Sequence, residues 1–538
     1  MMFRQSTLYL KLDPYRNNLV LSRDIIGYYT FLMKNLMKTS RQSLPADCDY
    51  LVVGGGSAGA IIARRLADAG IGNVVLLEAG INDEGDAALQ NLSLLESQSN
   101  LTEWGFLAYP IAGRDNRIHY SRAKMLGGCG NHNDCAFLVP PDSDFKRWHD
   151  LGARGWDAAS LQHYFRRVES MVHVEKQPPV NPESRLFIEA AMELGLKEVN
   201  FRKSITEGVG PFPLNSIGDL RQSSSVAYLH PVAELPDNLD IYFNTRATKI
   251  MFEGTKATGI TTNRGNLKVN GEIILAAGAI QSPQLLMLSG IGDQNRLAEL
   301  DISPIAHLPG VGNNLVDHSS ANLILALNQK LSPWTLTCCE VTMLLQSSSQ
   351  EPAPDILYHF VLGGRDKYEG RESNYADSVK ISPNVTRPKS RGKLELVSDQ
   401  ISDSPRINLN YFSDPEGYDM TTLIRGLRWA RKLAETEIFS ERVDHEILPG
   451  PELQSDEQFI EYILSTCETV YHPSGTCKMG NPDAEDTVVT PDLKLKGLDK
   501  IRVCDASIFP DMVTVNINNT VMMVAEKAAD LIIQNAKF

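Results

Sequence analysis

Six residues near the amino end, Gly54-Gly55-Gly56-Ser57-Ala58-Gly59, carry the spacing G-x-G-x-x-G, and Glu78 follows 19 residues after Gly59. The chemistry this spacing suits is the binding of a dinucleotide. The first glycine makes a tight turn, the second lets backbone approach a pyrophosphate, and the third lets a helix pack on a strand. N–H groups at the start of that helix donate to phosphate. A carboxylate at Glu78 can accept hydrogen bonds from a ribose diol. The residues after it, Ala79-Gly80, offer no basic group for a 2′-phosphate, which disfavours NADP. The motif by itself does not separate FAD from NAD.

Such a site works only if a strand enters Gly54 and a helix leaves Gly59, and the flanking residues meet that demand. Asp49-Tyr50-Leu51-Val52-Val53 is a β-branched run, Ala60 to Ala69 has apolar residues on one helical face, and Asn73 to Glu78 is a second strand. Together they predict one βαβ unit with a buried parallel sheet. Further apolar runs at 238–243, 272–277 and 501–504 predict strands scattered through the chain. The fold class is therefore α/β, with a doubly wound, Rossmann-like domain assembled from separated segments. Leu345 to Pro354 and Gly363 to Ala376 are polar or charged and are expected to be surface loops.

The 538 residues hold 52 basic and 66 acidic side chains, a net charge of −14, which argues against nucleic acid as a partner. The charge is uneven: residues 1–46 carry seven basic and two acidic groups, +5, leaving −19 for the rest. Eight cysteines form no C-x-x-C pair, so neither a zinc ribbon nor a disulfide scaffold is indicated and no metal site is expected. No apolar run approaches the roughly 18–20 residues that span a bilayer. The expected location is cytoplasmic. The basic segment 1–46 has three readings: a membrane-surface anchor, a targeting arm, or translation from an upstream start.

Three further blocks carry a resemblance. Arg122-Ala123-Lys124-Met125-Leu126-Gly127-Gly128-Cys129-Gly130-Asn131-His132-Asn133 and Gly278-Ala279-Ile280-Gln281-Ser282-Pro283 resemble the two signature segments of the glucose–methanol–choline (GMC) family of flavin oxidoreductases. Tyr471-His472-Pro473-Ser474-Gly475-Thr476 and Val515-Asn516 resemble its active-site segments, with choline-oxidase-like members nearest in motif. The resemblance implies FAD-dependent oxidation of an alcohol, by hydride transfer to flavin N5, with O2 or a quinone as electron acceptor. It implies FAD-binding segments at 47–145, 226–325 and 469–538, the last also carrying the active site. The α+β substrate domain, an antiparallel sheet with helices, would take 146–225 and 326–468, after the extension 1–46.

Carried over residue by residue, Gly54, Gly56, Ser57, Ala58, Gly59 and Glu78 would hold the ADP half of FAD. Ala247 would meet the adenine, and Asp505 and Ala506 the pyrophosphate. Gly127, Gly128, Asn131, His132 and Asn133 would line the isoalloxazine, with His132 the candidate for covalent attachment. His472 would be the base or alkoxide stabiliser, since an imidazole titrates near 6.5. Asn516 would hydrogen-bond the substrate oxygen, with Asn518 and Asn519 as competitors, and His359 would help hold the alkoxide. His318 is a further candidate for the pocket. Asp134 and Tyr471 are the expected substrate contacts. Two departures disfavour choline: Ser320 stands where choline oxidases bring a glutamate to the ammonium, and Cys338-Cys339 where they carry tryptophans. A non-redox lyase of the family, a choline dehydrogenase-like enzyme with a changed ammonium pocket, and a noncatalytic flavoprotein are the alternatives. Oligomeric state is left open.

Overall fold

The computed structural model describes residues 43–97, 102–113, 116–175, 180–203, 205–333, 335–368 and 371–536. Most of the basic extension 1–46 lies outside the described residues. From Leu44 onward the chain forms one unit. It begins with the strand Asp47–Val53, the helix Gly59–Asp68 and the strand Val74–Leu77, close to the predicted limits. The side chains of Val74–Leu77 are all buried, each contributing about 1.5–3 kcal/mol on transfer from water.

These strands belong to a seven-stranded sheet. Its order is Leu239–Tyr242, Val74–Leu77, Asp47–Val53, Gly265–Leu275, Lys256–Thr262, Ala247–Glu253, with Ile501–Val503 also paired to Gly265–Leu275. Pairing is parallel from Leu239–Tyr242 through Gly265–Leu275 to Ile501–Val503, and antiparallel in the last two strands. The three scattered apolar runs thus meet in one sheet, as the doubly wound reading requires. The buried face of Gly59–Asp68, rich in Ala and Ile, packs against the C-terminal helix Asn518–Ala536. Arg65 from the first helix and Arg167 from Ala158–Met171 pair with fully buried Glu526 and with Asp530 on the last.

A second, antiparallel sheet of eight strands lies in the middle of the sequence. Its path is Val443–Leu448, Leu323–Leu327, Arg371–Val385, Ile356–Tyr368, Val341–Leu345, Gly208–Pro211. Ser319–Ser320 bridges Arg371–Val385 to Glu468–Thr469. The strand Leu323–Leu327 spans the 325/326 boundary expected from the sequence. Leu345 to Pro354 leaves the sheet as a loop, as expected. Gly363 to Ala376 does not: its residues continue the two long strands, Gly364 opposite Tyr375 and Tyr368 opposite Arg371. This ribbon runs beyond its sheet neighbours, so its backbone pairs hold it without an apolar alternation, and a charged sequence there reads as a loop. Among the described residues no helix is long and apolar enough to cross a membrane.

Candidate active site

The glycine turn forms one end of a cavity of about 740 Å³ that reaches between the two sheets. A Cβ at Gly59 would lie 1.8 Å from the carbonyl oxygen of Gly54, and a Cβ at Gly128 2.7 Å from Cα of Gly56. Bare backbone at these positions lets helix, strand and the Gly128 loop close on one another. Glu78 is 6% exposed. Its Oε2 accepts from the Gly55 N–H at 2.8 Å and its Oε1 from the Gly80 N–H at 2.7 Å. Burial pushes its carboxyl up, and those two N–H groups oppose the shift. Each oxygen keeps a further lone pair for a ribose. Gly54, Gly56, Ser57, Ala58 and Ala247 line the same wall. Asp505 and Ala506 line it too, but Asp505 is chiefly a buckle: it accepts from Gly278 N, Ser282 Oγ and Ser507 N.

The loop expected to line a flavin ring divides into two layers. Gly128, His132, Asn133 and Asp134 reach the cavity. Gly127 and Asn131 brace it from behind, the fully buried Asn131 amide donating to Asp83 Oδ2 at 2.6 Å and Leu126 O at 2.8 Å. His132 Nδ1 lies 3.1 Å from Oε1 of Glu103, an oxygen that also accepts from the Ser121 hydroxyl. Burial lowers the His132 pKa, while Glu103 acts the other way. Asp134 Oδ1 accepts from Thr337 Oγ1 at 3.0 Å.

Three histidines gather at the far end. His472 and His359 line the cavity, and fully buried His318 stands behind His472. His318 Nδ1 is 2.9 Å from His472 Nδ1, and its Nε2 faces the carbonyl oxygens of Thr386 and Val513 at 3.2 and 3.1 Å. Burial pushes His318 down to about 4 and His359 to about 3, and takes His472 well below the ordinary imidazole value, so all three are neutral near pH 7. His359 stacks on Phe212 with ring centroids 5.6 Å apart, and its Nδ1 meets the Asn384 amide nitrogen at 3.1 Å. Tyr471 sits in the left-handed region at φ 62°, an uncommon conformation for a bulky residue. Its carbonyl is held by Arg122 Nη2 at 2.6 Å, so the turn that presents His472 is pinned from both sides.

Among the competing asparagines, Asn518 accepts from Ser57 Oγ at 2.6 Å and Asn519, 1% exposed, donates to Leu138 O. Asn516 lines the cavity with a buried amide oxygen that has no hydrogen-bond partner among the described residues. At a cavity wall, a buried polar atom of this kind is one that a ligand can satisfy. Orphaned Asn516, the bare-backbone cradle at Gly128 and the carboxylate at Glu78 together fit a flavin dinucleotide with a small polar substrate beside it.

Several residues in and behind the cavity wall were not singled out from the sequence. Lys380 and Glu468 pair at 3.6 Å in the substrate end, and Asn322 donates to the same Glu468 oxygen at 3.1 Å. Glu468 lies opposite Ser320 in strand register. Glu103, Asn384 and Phe212 also escaped notice. For Lys380, Asn384 and Glu468 a charged or amide side chain within a strand was the available signal, and Glu103 and Phe212 carried none.

Residues 48–320 match the N-terminal domain of the GMC oxidoreductases and residues 388–525 the C-terminal domain. Choline oxidase of Arthrobacter globiformis is 34% identical over 519 residues, covering 90% of this chain and 94% of that protein. Alcohol dehydrogenase [acceptor] of Pseudomonas putida is 34% identical over 533 residues, covering 90% and 96%. The crystal structure of pyridoxine 4-oxidase from Mesorbium loti superposes with a TM-score of 0.83 at 27% identity, over 90% of this chain and 99% of that one.

Proposed function

The chain belongs to the GMC oxidoreductase family of FAD-dependent enzymes acting on alcohols, and on that footing we propose that it oxidises a primary alcohol to the aldehyde with His472 taking the hydroxyl proton. The observation that carries this reading is the convergence of His472, Asn516 and His359 on a cavity whose other end is the Gly54–Glu78 turn. FAD, when bound, supplies the acceptor for the two electrons that leave the carbinol carbon as a hydride. The protein supplies the rest. Glu78, with the backbone of the glycine turn and Ala506, holds the dinucleotide. His472 Nδ1 is committed to His318, which leaves Nε2 to receive the alcohol proton. Asn516 and His359 hold the oxygen as negative charge develops on it.

His132 is our candidate for covalent attachment to the flavin: it lines the cavity, with Nδ1 3.1 Å from Glu103 Oε1 and Nε2 3.4 Å from the Ser121 hydroxyl oxygen. The substrate is a polar primary alcohol other than choline. A quaternary ammonium needs desolvation by aromatic faces and an uncompensated carboxylate, whereas the carboxylate opposite Ser320, Glu468, is already paired with Lys380. The electron acceptor is O2 or a quinone-type carrier. We assign 47–145, 226–318 and 470–538 to the FAD domain, with the second boundary drawn before Ser319 and the last after Thr469 because those residues join the antiparallel sheet. Residues 1–46 are not needed for the chemistry; removing them should leave turnover intact, and fractionation with membranes before and after removal tests an anchoring role.

The test is anaerobic mixing of the holoenzyme with a panel of primary alcohols, followed by air. Loss of the flavin's visible absorbance on mixing is expected for the right alcohol. No loss with any member overturns the reading for that panel, and slow recovery in air points to a carrier instead of O2.

A further inference from the structure

The two imidazoles that face the substrate end are each tied, on the nitrogen turned away from it, to a partner whose proton is fixed by backbone. His318 Nε2 faces two carbonyl oxygens, Thr386 O and Val513 O. Carbonyls only accept, so Nε2 carries the hydrogen. The ring is neutral, so Nδ1 is a lone pair. The 2.9 Å contact between His318 Nδ1 and His472 Nδ1 then requires the hydrogen to belong to His472. Its Nε2 is bare.

The second tie works in the opposite sense. The Asn384 side chain, 1% exposed, has Nδ2 2.6 Å from Leu357 O, which identifies that end of the amide as the donor. Its other hydrogen meets His359 Nδ1 at 3.1 Å. Nδ1 of His359 therefore accepts, and in a neutral ring Nε2 carries the hydrogen.

We propose that His318 and Asn384 are positioning residues that lock the two cavity-facing imidazoles in opposite tautomers, so that one alcohol oxygen meets a bare Nε2 on His472 and an Nε2–H on His359. This rests on the reading of the cavity as an alcohol site. A hydroxyl has one hydrogen to give and lone pairs to fill. Two bare nitrogens would leave one unsatisfied and the developing alkoxide uncompensated; two N–H groups would leave no base. With opposite tautomers the hydroxyl is satisfied at the start. As its proton passes to His472, the oxygen keeps the His359 N–H and gains the new His472 N–H. Neither ring has to turn, because both ties anchor on main-chain carbonyls.

Selective 15N-histidine labelling of the holoenzyme reads the tautomers directly. His472 should show a protonated Nδ1 and bare Nε2, His359 the reverse, with resonances assigned by their loss in H472Q and H359Q. In His318→Gln the amide N–H can meet the two carbonyls and its oxygen can accept from His472, so the His472 tautomer should persist. In His318→Leu it should become mixed, and kcat/KM should fall in proportion to the remaining bare-Nε2 fraction, by about 10-fold or less. H318Q should recover most of that loss. Asn384→Asp should drive the hydrogen of His359 onto Nδ1. The same tautomer on both rings of the wild type overturns the proposal, and so does an unchanged His472 tautomer in H318L. If H318L does not fold, the wild-type and H318Q spectra still decide. Opposite tautomers in an enzyme whose flavin bleaches normally after His472→Ala would leave the locking intact and remove the reading of His472 as the base; matching tautomers with bleaching that depends on His472 would do the reverse.

Discussion

The backbone N–H of His472 donates to Asp317 Oδ1 at 2.8 Å, across 155 residues of sequence. The same carboxylate accepts from His318 N, and through Oδ2 from Tyr120 OH at 2.9 Å, Tyr411 OH at 2.7 Å and Thr469 Oγ1 at 2.6 Å. Five donors thus converge on a group that is 4% exposed. The turn that carries the His472 imidazole is thus tied to this hub.

Asp317→Asn should therefore be damaging although it changes one atom. The new amide group confronts donors where it can only donate. Hydrogen bonds to a charged group are worth about 1.5–3 kcal/mol each, so unfolding free energy should drop by about 3 kcal/mol or more in urea titrations of the holoenzyme. Turnover should suffer in kcat more than in KM, because the base is misaimed while the pocket wall survives.

His472→Ala should slow anaerobic flavin reduction by about 10²- to 10⁴-fold with little change in substrate affinity. Stopped-flow reduction at saturating alcohol is the measurement. In the wild type, burial and the neighbouring His318, His359 and Arg122 keep His472 neutral well below 6.5, so kcat/KM should show no acid limb near that value.

Stability should depend on pH through the three histidines. In the unfolded chain they titrate near 6.5, while in the folded protein burial holds His318 at about 4, His359 at about 3 and His472 well below its ordinary value. Below pH 6.5 the unfolded state binds protons that the folded state refuses, so stability present at neutral pH is lost as pH falls. The midpoint temperature should decline from about pH 6.5 downward, and H318Q should show a shallower decline.

Flavin attachment should depend on both His132 and Glu103. His132→Ala should release all flavin on acid precipitation. Glu103→Gln, which weakens the pull on Nδ1–H, should lower the acid-stable fraction without lowering total flavin content. Equal acid-stable fractions in wild type and E103Q would show that Glu103 has no part in attachment.

The cofactor end was legible in the sequence because its geometry is local. Gly54, Gly59 and Glu78 lie within 25 residues, and strand, turn and helix each declare themselves through composition. His472 and Asn516 were readable through family likeness, which also ranked Asn516 over Asn518 and Asn519. The supporting residues were not. Asp317, Asn384, Glu103 and the Lys380–Glu468 pair acquire meaning only from partners far away in sequence or on neighbouring strands, where no periodicity marks them. The ribbon through Gly363–Ala376 was hidden for a related reason: strands that pair only with each other need no apolar face.

The strand Ile501–Val503 completes the parallel sheet beside Gly265–Leu275, and His472, Asp505 and Asn516 on either side of it in sequence line the cavity. On a ribosome adding about 5–20 residues per second, roughly ten to forty-five seconds separate the emergence of Leu275 from that of Val503. During that interval the glycine turn exists beside an unfinished sheet with a template edge exposed. The cavity wall is thus completed only late in synthesis, and expression hosts short of chaperone capacity should accumulate aggregate in preference to soluble protein.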